Sequence, residues 1–349
     1  MGENRSVNEQ LMQENIGVGT LLEEMLEGIE NIPRSISTGI PSLDKALGGG
    51  IRGVGITTLM ARPSFGKTSL AAQIALHVSN GGQQVIYFTN DVGKEEMLIK
   101  NLSQLSYALY KENGFSMQEL YDLIISRKYK LDSNFQQLQE EFKKQSINLR
   151  YIDTVSMLSI EEIKEDENVE KDNKIIYSGN DLEYLNDIIR CYDKEIKPLL
   201  IIDYLQTLNL EKDFETKKNI DEAVKRIKII ALAYKIPILL ISSINRLSYD
   251  RSLTLDSLKE AGSIEYHSDI VCGLQFVGIG KDGFNLEKEK SNEWWNMEVT
   301  ILKNKMGKAD IRVPIKFYPR CNLFIEQNTK EKENDNTMPI TEKMKKKKK

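Results

Sequence analysis

Ala61–Arg62–Pro63–Ser64–Phe65–Gly66–Lys67–Thr68 (ARPSFGKT) is the stretch on which the reading of this chain turns. It fits the pattern G-x-x-x-x-G-K-[ST], with alanine in the place of the first glycine. The chemistry behind the pattern is anion capture. Successive backbone N–H groups curl around a phosphate chain, and Gly66 lets the backbone approach it closely. Lys67 can place its ammonium on the β- and γ-phosphates, and Thr68, opening a helix, can give its hydroxyl to Mg²⁺. The helix N-terminus adds its positive dipole end. Ala61 costs little, because its position asks for a small residue more than for a positive φ. With Ser69 continuing into the helix, the candidate nucleotide-binding residues are Ala61, Arg62, Pro63, Ser64, Phe65, Gly66, Lys67, Thr68 and Ser69.

A bare Gly-Lys-Thr triplet is common by chance, so its context decides. Gly55 to Met60 reads as an apolar strand, and Ala71, Ala72, Ile74, Ala75 and Val78 mark an amphipathic helix after the loop. Working outward, Gln84 to Thr89, Asn148 to Asp153, Pro198 to Asp203 and Pro237 to Ser242 are further short apolar strands. Helical stretches fill Lys94 to about Leu131, Gln136 to Lys144 and Asn219 to Tyr234. Val271 to Val277, Met297 to Lys303 and Ile311 to Phe317 close the series as C-terminal β-strands. Short buried strands alternating with helices predict an α/β fold with a mostly parallel central sheet flanked by helices. Leu199–Leu200–Ile201–Ile202–Asp203 ends a buried run in an acid. That puts Asp203 at the carboxyl end of a central strand, where ligands bind in open α/β sheets and where it can hold Mg²⁺ through water.

Composition narrows the class. With 349 residues, 40% hydrophobic and 29% charged, the chain has ordinary soluble globular composition and room for one large α/β domain with additions, or for two small domains. No apolar run approaches the ~18 residues that would span a bilayer. The polar start, Met1 to Asn15, lacks a signal peptide's basic and apolar regions. A cytoplasmic protein is expected. Three scattered cysteines (Cys191, Cys272, Cys321) and two histidines (His77, His267) argue against a disulfide framework or a zinc site. The net charge of −4 does not exclude a nucleic-acid partner, since a ring can pair an acidic exterior with a basic channel.

Three regions stand apart from the core pattern. Leu21, Leu22, Met25, Leu26, Ile29 and Ile32 form one face of a helix that ends at Pro33. Its stripe must be buried, on its own domain or on a neighbouring subunit. Residues 163–178 are a charge-dense insertion, and from Gln327 the chain is polar and ends in KMKKKKK. That tail reads either as a solvated end or as an electrostatic attachment to nucleic acid. The expected division is residues 1–33 (polar segment and linker helix), 34–326 (nucleotide-binding domain) and 327–349 (tail).

Several strings fit one family together. STGIPSLDKALGGGI (Ser37 to Ile51), ARPSFGKTS, IIDYLQTL, ISSINR (Ile241 to Arg246) and EAGSIEYHSD (Glu260 to Asp269) follow in this order. From roughly Ile16 to Phe324, the charged insertion aside, the chain resembles the RecA-like motor domain of DnaB-type replicative helicases. The family's N-terminal primase-contacting domain has no counterpart in this reading. The resemblance implies an ATP- and Mg²⁺-dependent hexameric ring on single-stranded DNA, with a loader or primase as further partners and no membrane. It also implies nucleotide held between subunits, with a basic finger from one reaching its neighbour's γ-phosphate. That finger region is Lys303–Asn304–Lys305–Met306–Gly307. DNA-contacting loops follow Gln206, reaching Lys212, Lys217 and Lys218, and follow Arg246, near Arg251. Basic side chains there would grip phosphates without reading sequence.

The resemblance also gives catalytic roles, and three departures fall on them. Asp91 stands where the family has the glutamate that orients the attacking water, Ser243 where it has a γ-phosphate-sensing glutamine, and Lys305 where it has the arginine finger. Aspartate is one methylene short, and lysine lacks the fork that matches phosphate geometry. With Lys67 and Asp203 these make up the candidate catalytic set. An active DNA translocase is the first reading. The second is a weakly active or inactive nucleotide-binding subunit that regulates a helicase. A third is a RadA- or KaiC-like ATPase of recombination or signalling, which shares the STG…GGG opening.

Overall fold

A computed structural model describes residues 18–27, 34–153, 181–192, 197–208, 216–259 and 261–327. The chain divides into two compact units at Arg34 and Ser35. In the first, helix α1 (Val18–Glu27) is amphipathic; it begins before the expected Leu21, and residues 28–33 lie outside the described set. The insertion at 163–178, the tail from residue 328 and Lys212 also lie outside it.

The second unit is built on one sheet of nine strands in the order β3-β2-β4-β5-β1-β6-β7-β8-β9. The strands are β1 (Gly55–Ala61), β2 (Val85–Thr89), β3 (Leu149–Asp153), β4 (Leu199–Asp203), β5 (Pro237–Ser243), β6 (Ile270–Phe276), β7 (Trp295–Asn304), β8 (Ile311–Tyr318) and β9 (Leu323–Glu326). β3 through β6 in that spatial order are parallel, and β6 to β9 are antiparallel. The α/β, RecA-like reading therefore holds, C-terminal strands included. β9 was not marked in the sequence, because four residues are too few to show a period.

Every residue of β1, β2, β4 and β6 is buried, as expected of strands covered on both faces. Alternation along each strand divides the core. Val85, Tyr87 and Ile201 face α3 (Lys67–Asn80) with its Leu70, Ile74 and Val78. Ile86, Phe88 and Ile202 face α7 (Asp181–Cys191) and α8 (Thr216–Ala233) through Leu185, Val224 and Ile227. On β8 burial alternates instead, as on an antiparallel strand with one face half open.

The helical stretches expected over Lys94 to about Leu131 include two helices. α4 (Lys94–Tyr110) stops, and α5 (Met117–Ile125) starts again at a capping box in which Ser116 and Glu119 satisfy each other's backbone N–H groups. Between them Gly114 packs against Tyr107, whose Cα would lie 2.7 Å from an added Cβ. α6 (Ser133–Gln145) completes a small apolar subcore of Leu102, Leu105, Leu120, Phe135, Leu138 and Phe142.

The STG…LD…GGG opening is a clasp. Asp44, on α2 (Pro41–Leu47), accepts from the Thr38 backbone N–H at 2.7 Å and from the Thr38 and Ser37 hydroxyls at 2.6 Å each. Gly50 has φ +117, and a Cβ there would sit 2.1 Å from the Ile36 carbonyl oxygen, so the Ile36–Ile51 bridge requires glycine. No helix among the described residues is long and apolar enough to cross a membrane.

Candidate nucleotide site

β1 delivers Ala61 to the carboxyl edge of the sheet, and the loop from Arg62 to Gly66 turns the chain into α3. Ser64 and Gly66 have φ of 63° and 89°, so successive N–H groups turn to one side as a phosphate cradle requires. Gly66 is needed for space as well: a Cβ would meet the Phe324 ring at 2.8 Å. β9 is held over the loop because Gln73 on α3 bonds both the N–H and the C=O of Phe324, at 2.8 and 2.9 Å.

Lys67, the first residue of α3, donates from Nζ to the Arg62 carbonyl at 3.4 Å, across the mouth of the loop. Burial lowers its pKa, opposed by the nearby charges of Asp203 and Asp91. Asp203 is almost fully buried at the end of β4, where burial raises its pKa. Its carboxylate accepts a 2.7 Å hydrogen bond from the Tyr87 hydroxyl, and another from Thr68. A hydroxyl and a carboxylate oxygen side by side are the hard donors that suit Mg²⁺, which takes its remaining ligands from water and phosphate. Among the described residues no cluster of three or more His, Cys, Asp or Glu could hold a metal alone.

Asp91, on the exposed turn after β2, and Ser243, at the end of β5, face the same cleft of about 530 Å³. Pro63, Ser64, Gly66, Lys67, Thr68, Ser69 and Asp203 line it too, with Lys100, Trp295, Phe317 and Asn322. Of the predicted nucleotide-binding residues, Ala61, Arg62 and Phe65 do not line it with their side chains. Ala61 and Phe65 are core residues, and the Arg62 guanidinium lies over the Tyr249 ring at 4.9 Å and pairs with Asp250 at 3.2 Å. Their part in the cradle is limited to backbone.

Lys303 and Lys305 are not in this cleft. Lys305 donates from its backbone N–H to the Asp269 carbonyl at 3.0 Å and from Nζ to the Asp269 carboxylate at 3.2 Å. Lys303 Nζ donates to the Glu265 carbonyl. Asp269 also accepts from the Ile56 N–H at the amino end of β1 and pairs with Lys228 and Arg52. The seven residues of β1, at ~3.3 Å each, put this cluster ~20 Å from the phosphate loop. Arg246 and Arg251 are exposed on the loop after β5, and Lys218 is exposed on the first turn of α8. Lys217 lies on that turn, and Lys212 is outside the described residues.

Four residues that sequence reasoning passed over shape the site. Tyr87 orients Asp203. Gln206 accepts from the Ser243 N–H at 3.1 Å and donates to the Ser242 hydroxyl at 2.8 Å, tying the end of β4 to the end of β5. Asn90 binds the Asp203 carbonyl through its N–H at 3.1 Å and accepts from the Tyr204 N–H at 3.0 Å. Lys100 contributes a buried ammonium. Gln206 lay inside the DYLQ string and was visible as a motif; the other three had no signal of their own.

The chain is similar to known proteins in sequence and in fold. The sequence profile of the DnaB-like helicase C-terminal domain matches residues 35–177 and 178–326. The chain belongs to that family. The replicative DNA helicase DnaB of Buchnera aphidicola subsp. Baizongia pistaciae is 26% identical over 281 residues, covering 76% of this chain and 54% of the relative. A probable plasmid replicative DNA helicase of Chlamydia psittaci is 26% identical over 258 residues, covering 71% and 46%. The chain thus spans about half the length of the curated DnaB relatives it matches. Among solved structures, an isolated ATPase domain superposes with a TM-score of 0.67 at 18% identity, covering 93% of this chain and all of that one. A DnaB-like replicative helicase solved to study its interactions with primase gives 0.65 at 18%, covering 93% and 68%. The KaiC-like protein PH0186 of Pyrococcus horikoshii gives 0.51 at 14%, covering 85% of this chain and all of that one. These likenesses to solved structures bear on the fold alone.

The buried carboxylate makes a prediction about this DnaB-family site that needs no ligand. Asp203 has a folded-state pKa above its unfolded one, so its contribution to stability is complete below the ordinary aspartate range and is lost as pH rises through the raised value. Asp203→Asn removes that dependence while keeping an acceptor for the Tyr87 hydroxyl. Urea melts of the nucleotide-free protein should show the variant more stable than wild type at pH 7, with the gap closing toward pH ~4. A variant less stable at pH 7 contradicts the burial argument.

Proposed function

We propose that this chain is the motor portion of a cytoplasmic, ATP-driven translocase on single-stranded DNA, working as a ring with nucleotide at the subunit borders. One observation carries the reading. Lys67, Thr68, Asp91, Asp203 and Ser243 converge in one cleft, whereas Lys303 and Lys305 lie ~20 Å away at the opposite edge of the sheet. A basic finger so placed serves a phosphate held by another subunit.

In this scheme the loop N–H groups, the start of α3 and Lys67 hold the β- and γ-phosphates. Thr68 and Asp203 would hold Mg²⁺, which neutralises charge on the phosphates. Asp91 orients the attacking water, Ser243 contacts the γ-phosphate, and Lys305 reaches the neighbour's nucleotide once it leaves Asp269. Exposed Arg246 and Arg251 on the loop after β5, Lys217 and Lys218 on the first turn of α8, and Lys212 would grip DNA phosphates. Arg62, between the phosphate loop and Tyr249–Asp250, links the cleft to the loop after β5. A loader or a primase would be a further partner.

A second reading, a nucleotide-binding subunit that controls a helicase, is favoured by the short Asp91 and by the engagement of Lys305 with Asp269. Steady-state ATP hydrolysis with and without single-stranded DNA separates the two. DNA-stimulated turnover is expected of the motor. Binding of ATP with no turnover in either condition would falsify it and leave the regulatory subunit.

A further inference from the structure

Tyr87 orients Asp203, and the way it does so bears on which cation the cleft can hold. It sits in the middle of β2 and is fully buried. A phenol in an apolar interior needs a partner for its hydroxyl. Strand register supplies one. Tyr87 lies opposite Ile201 and Thr89 opposite Asp203, so Tyr87 and Asp203 are diagonal neighbours on one face of the sheet. The ring spans that diagonal, and its hydroxyl donates to Asp203 Oδ2 at 2.7 Å. Burial and the Asp203 charge push the phenol's pKa up, so it stays a donor.

The ring is braced from behind. It lies against the Tyr151 ring on β3, with centroids 5.3 Å apart. Tyr151 donates to the Asn101 side chain on α4, and Asn101 donates to the Ala72 carbonyl of α3 at 3.0 Å. Gln104, also on α4, donates to the Ser69 carbonyl at 2.8 Å. The hydrogen bond on Oδ2 is therefore tied through β3 and α4 to the same helix whose second residue, Thr68, donates to the Asp203 carboxylate. One carboxylate oxygen is committed, and the plane of the group is fixed.

A carboxylate held this way offers a cation, directly or through water, one oxygen from one direction. That suits Mg²⁺, which demands near-octahedral geometry and takes most of its ligands from water and phosphate. It suits Ca²⁺ poorly, because Ca²⁺ gathers about six to eight oxygens and often takes a carboxylate by both of its own. We propose that Tyr87 sets the metal preference of the cleft, holding Asp203 as a one-oxygen partner so that Mg²⁺ is favoured over Ca²⁺. The inference rests on the reading of the cleft as a nucleotide site. It makes Tyr87 a positioning residue, acting on the metal through Asp203.

The test is calorimetric titration of the full chain with a non-hydrolysable ATP analogue in excess Mg²⁺, in excess Ca²⁺ and in EDTA. Wild type, Tyr87→Phe and Lys67→Ala are compared, with urea melts of each. Phenylalanine keeps the ring and removes the hydroxyl. Wild type is expected to bind about five-fold or more tightly with Mg²⁺ than with Ca²⁺, and Tyr87→Phe to narrow that ratio to about two-fold or less. Affinity in EDTA reads the phosphate contacts alone. If the ratio is the same in Tyr87→Phe, or if its affinity falls by one factor in all three conditions, Tyr87 is a packing residue and the proposal is overturned. A Tyr87→Phe chain that does not fold has the same meaning. Wild type without a preference for Mg²⁺ overturns the proposal whatever the variant does. In each of these cases, wild-type binding that is lost in Lys67→Ala keeps the nucleotide site standing. If wild type binds the analogue in none of the three conditions, the nucleotide reading of the cleft and this inference fall together.

Discussion

ATP turnover by a Lys67→Ala variant is expected to fall by ~10³-fold or more, with melting behaviour close to wild type. The size follows from what the ammonium does. In the proposed scheme it is a charge set in the cleft and aimed at the oxygens where negative charge develops, and removing one such donor costs ~10²- to 10³-fold in characterised enzymes. Lys67 also holds ground-state phosphate, so binding should weaken together with turnover. Stability should change little, because Lys67 makes one long hydrogen bond, 3.4 Å to Arg62, and carries a burial cost reflected in its lowered pKa. Steady-state hydrolysis and denaturant melts on the same preparations check both halves. Retention of more than a tenth of wild-type turnover would mean that hydrolysis occurs elsewhere or belongs to a contaminant. A large loss of stability would make the activity result uninformative about chemistry and would contradict the geometry.

The phosphate loop was legible because its local requirements are written contiguously. A buried strand, a short turn with Gly66 and a helix opening on Lys67 follow one another within about 25 residues, and each has its own pattern. Asp203 was legible for the same reason, as an acid closing an aliphatic run. What surrounds them was not. Tyr87 meets Asp203 across 116 positions of sequence, and Gln73 meets Phe324 across 251. No local period carries such pairings. The point at which the helical stretches between Lys94 and Leu131 divide, at Gly114, was not legible. The cause is a close backbone approach to Tyr107, which appears only in three dimensions. The placement of Lys305 likewise depends on β7 running antiparallel to β6, which returns the chain to the amino end of β1. The same topology explains why an ATP-site lysine by resemblance sits in an ion cluster around Asp269.

The other large effect concerns Asp91, one of the three positions where the family resemblance implies a different residue. Asp91→Glu is expected to raise the rate of ATP hydrolysis by ~10- to 100-fold without tightening nucleotide binding. Position 91, on the turn after β2, lines the cleft together with Lys67 and Ser243, and the Asp91 side chain is exposed. A carboxylate that orients water must lie within hydrogen-bond reach of it, and misplacement on the ~1 Å scale can cost ~10²-fold. One methylene adds ~1.5 Å of reach, about the deficit that aspartate leaves there. The turn itself should tolerate the longer side chain. It is held by the Thr89 hydroxyl, which donates to the Val92 carbonyl at 2.8 Å, and by Asn90, so its shape does not depend on the Asp91 carboxylate. Single-turnover hydrolysis, which separates chemistry from product release, is the measurement. A gain in the chemical step with unchanged affinity for a non-hydrolysable analogue identifies Asp91 as the water-orienting position and the wild-type chain as a slow motor. An unchanged or lower rate means that the aspartate is already within reach, through a water or through movement of the turn when the ring closes. The regulatory reading would then lose the support it draws from this residue, and Lys305, held by Asp269, would be left as the step that limits turnover.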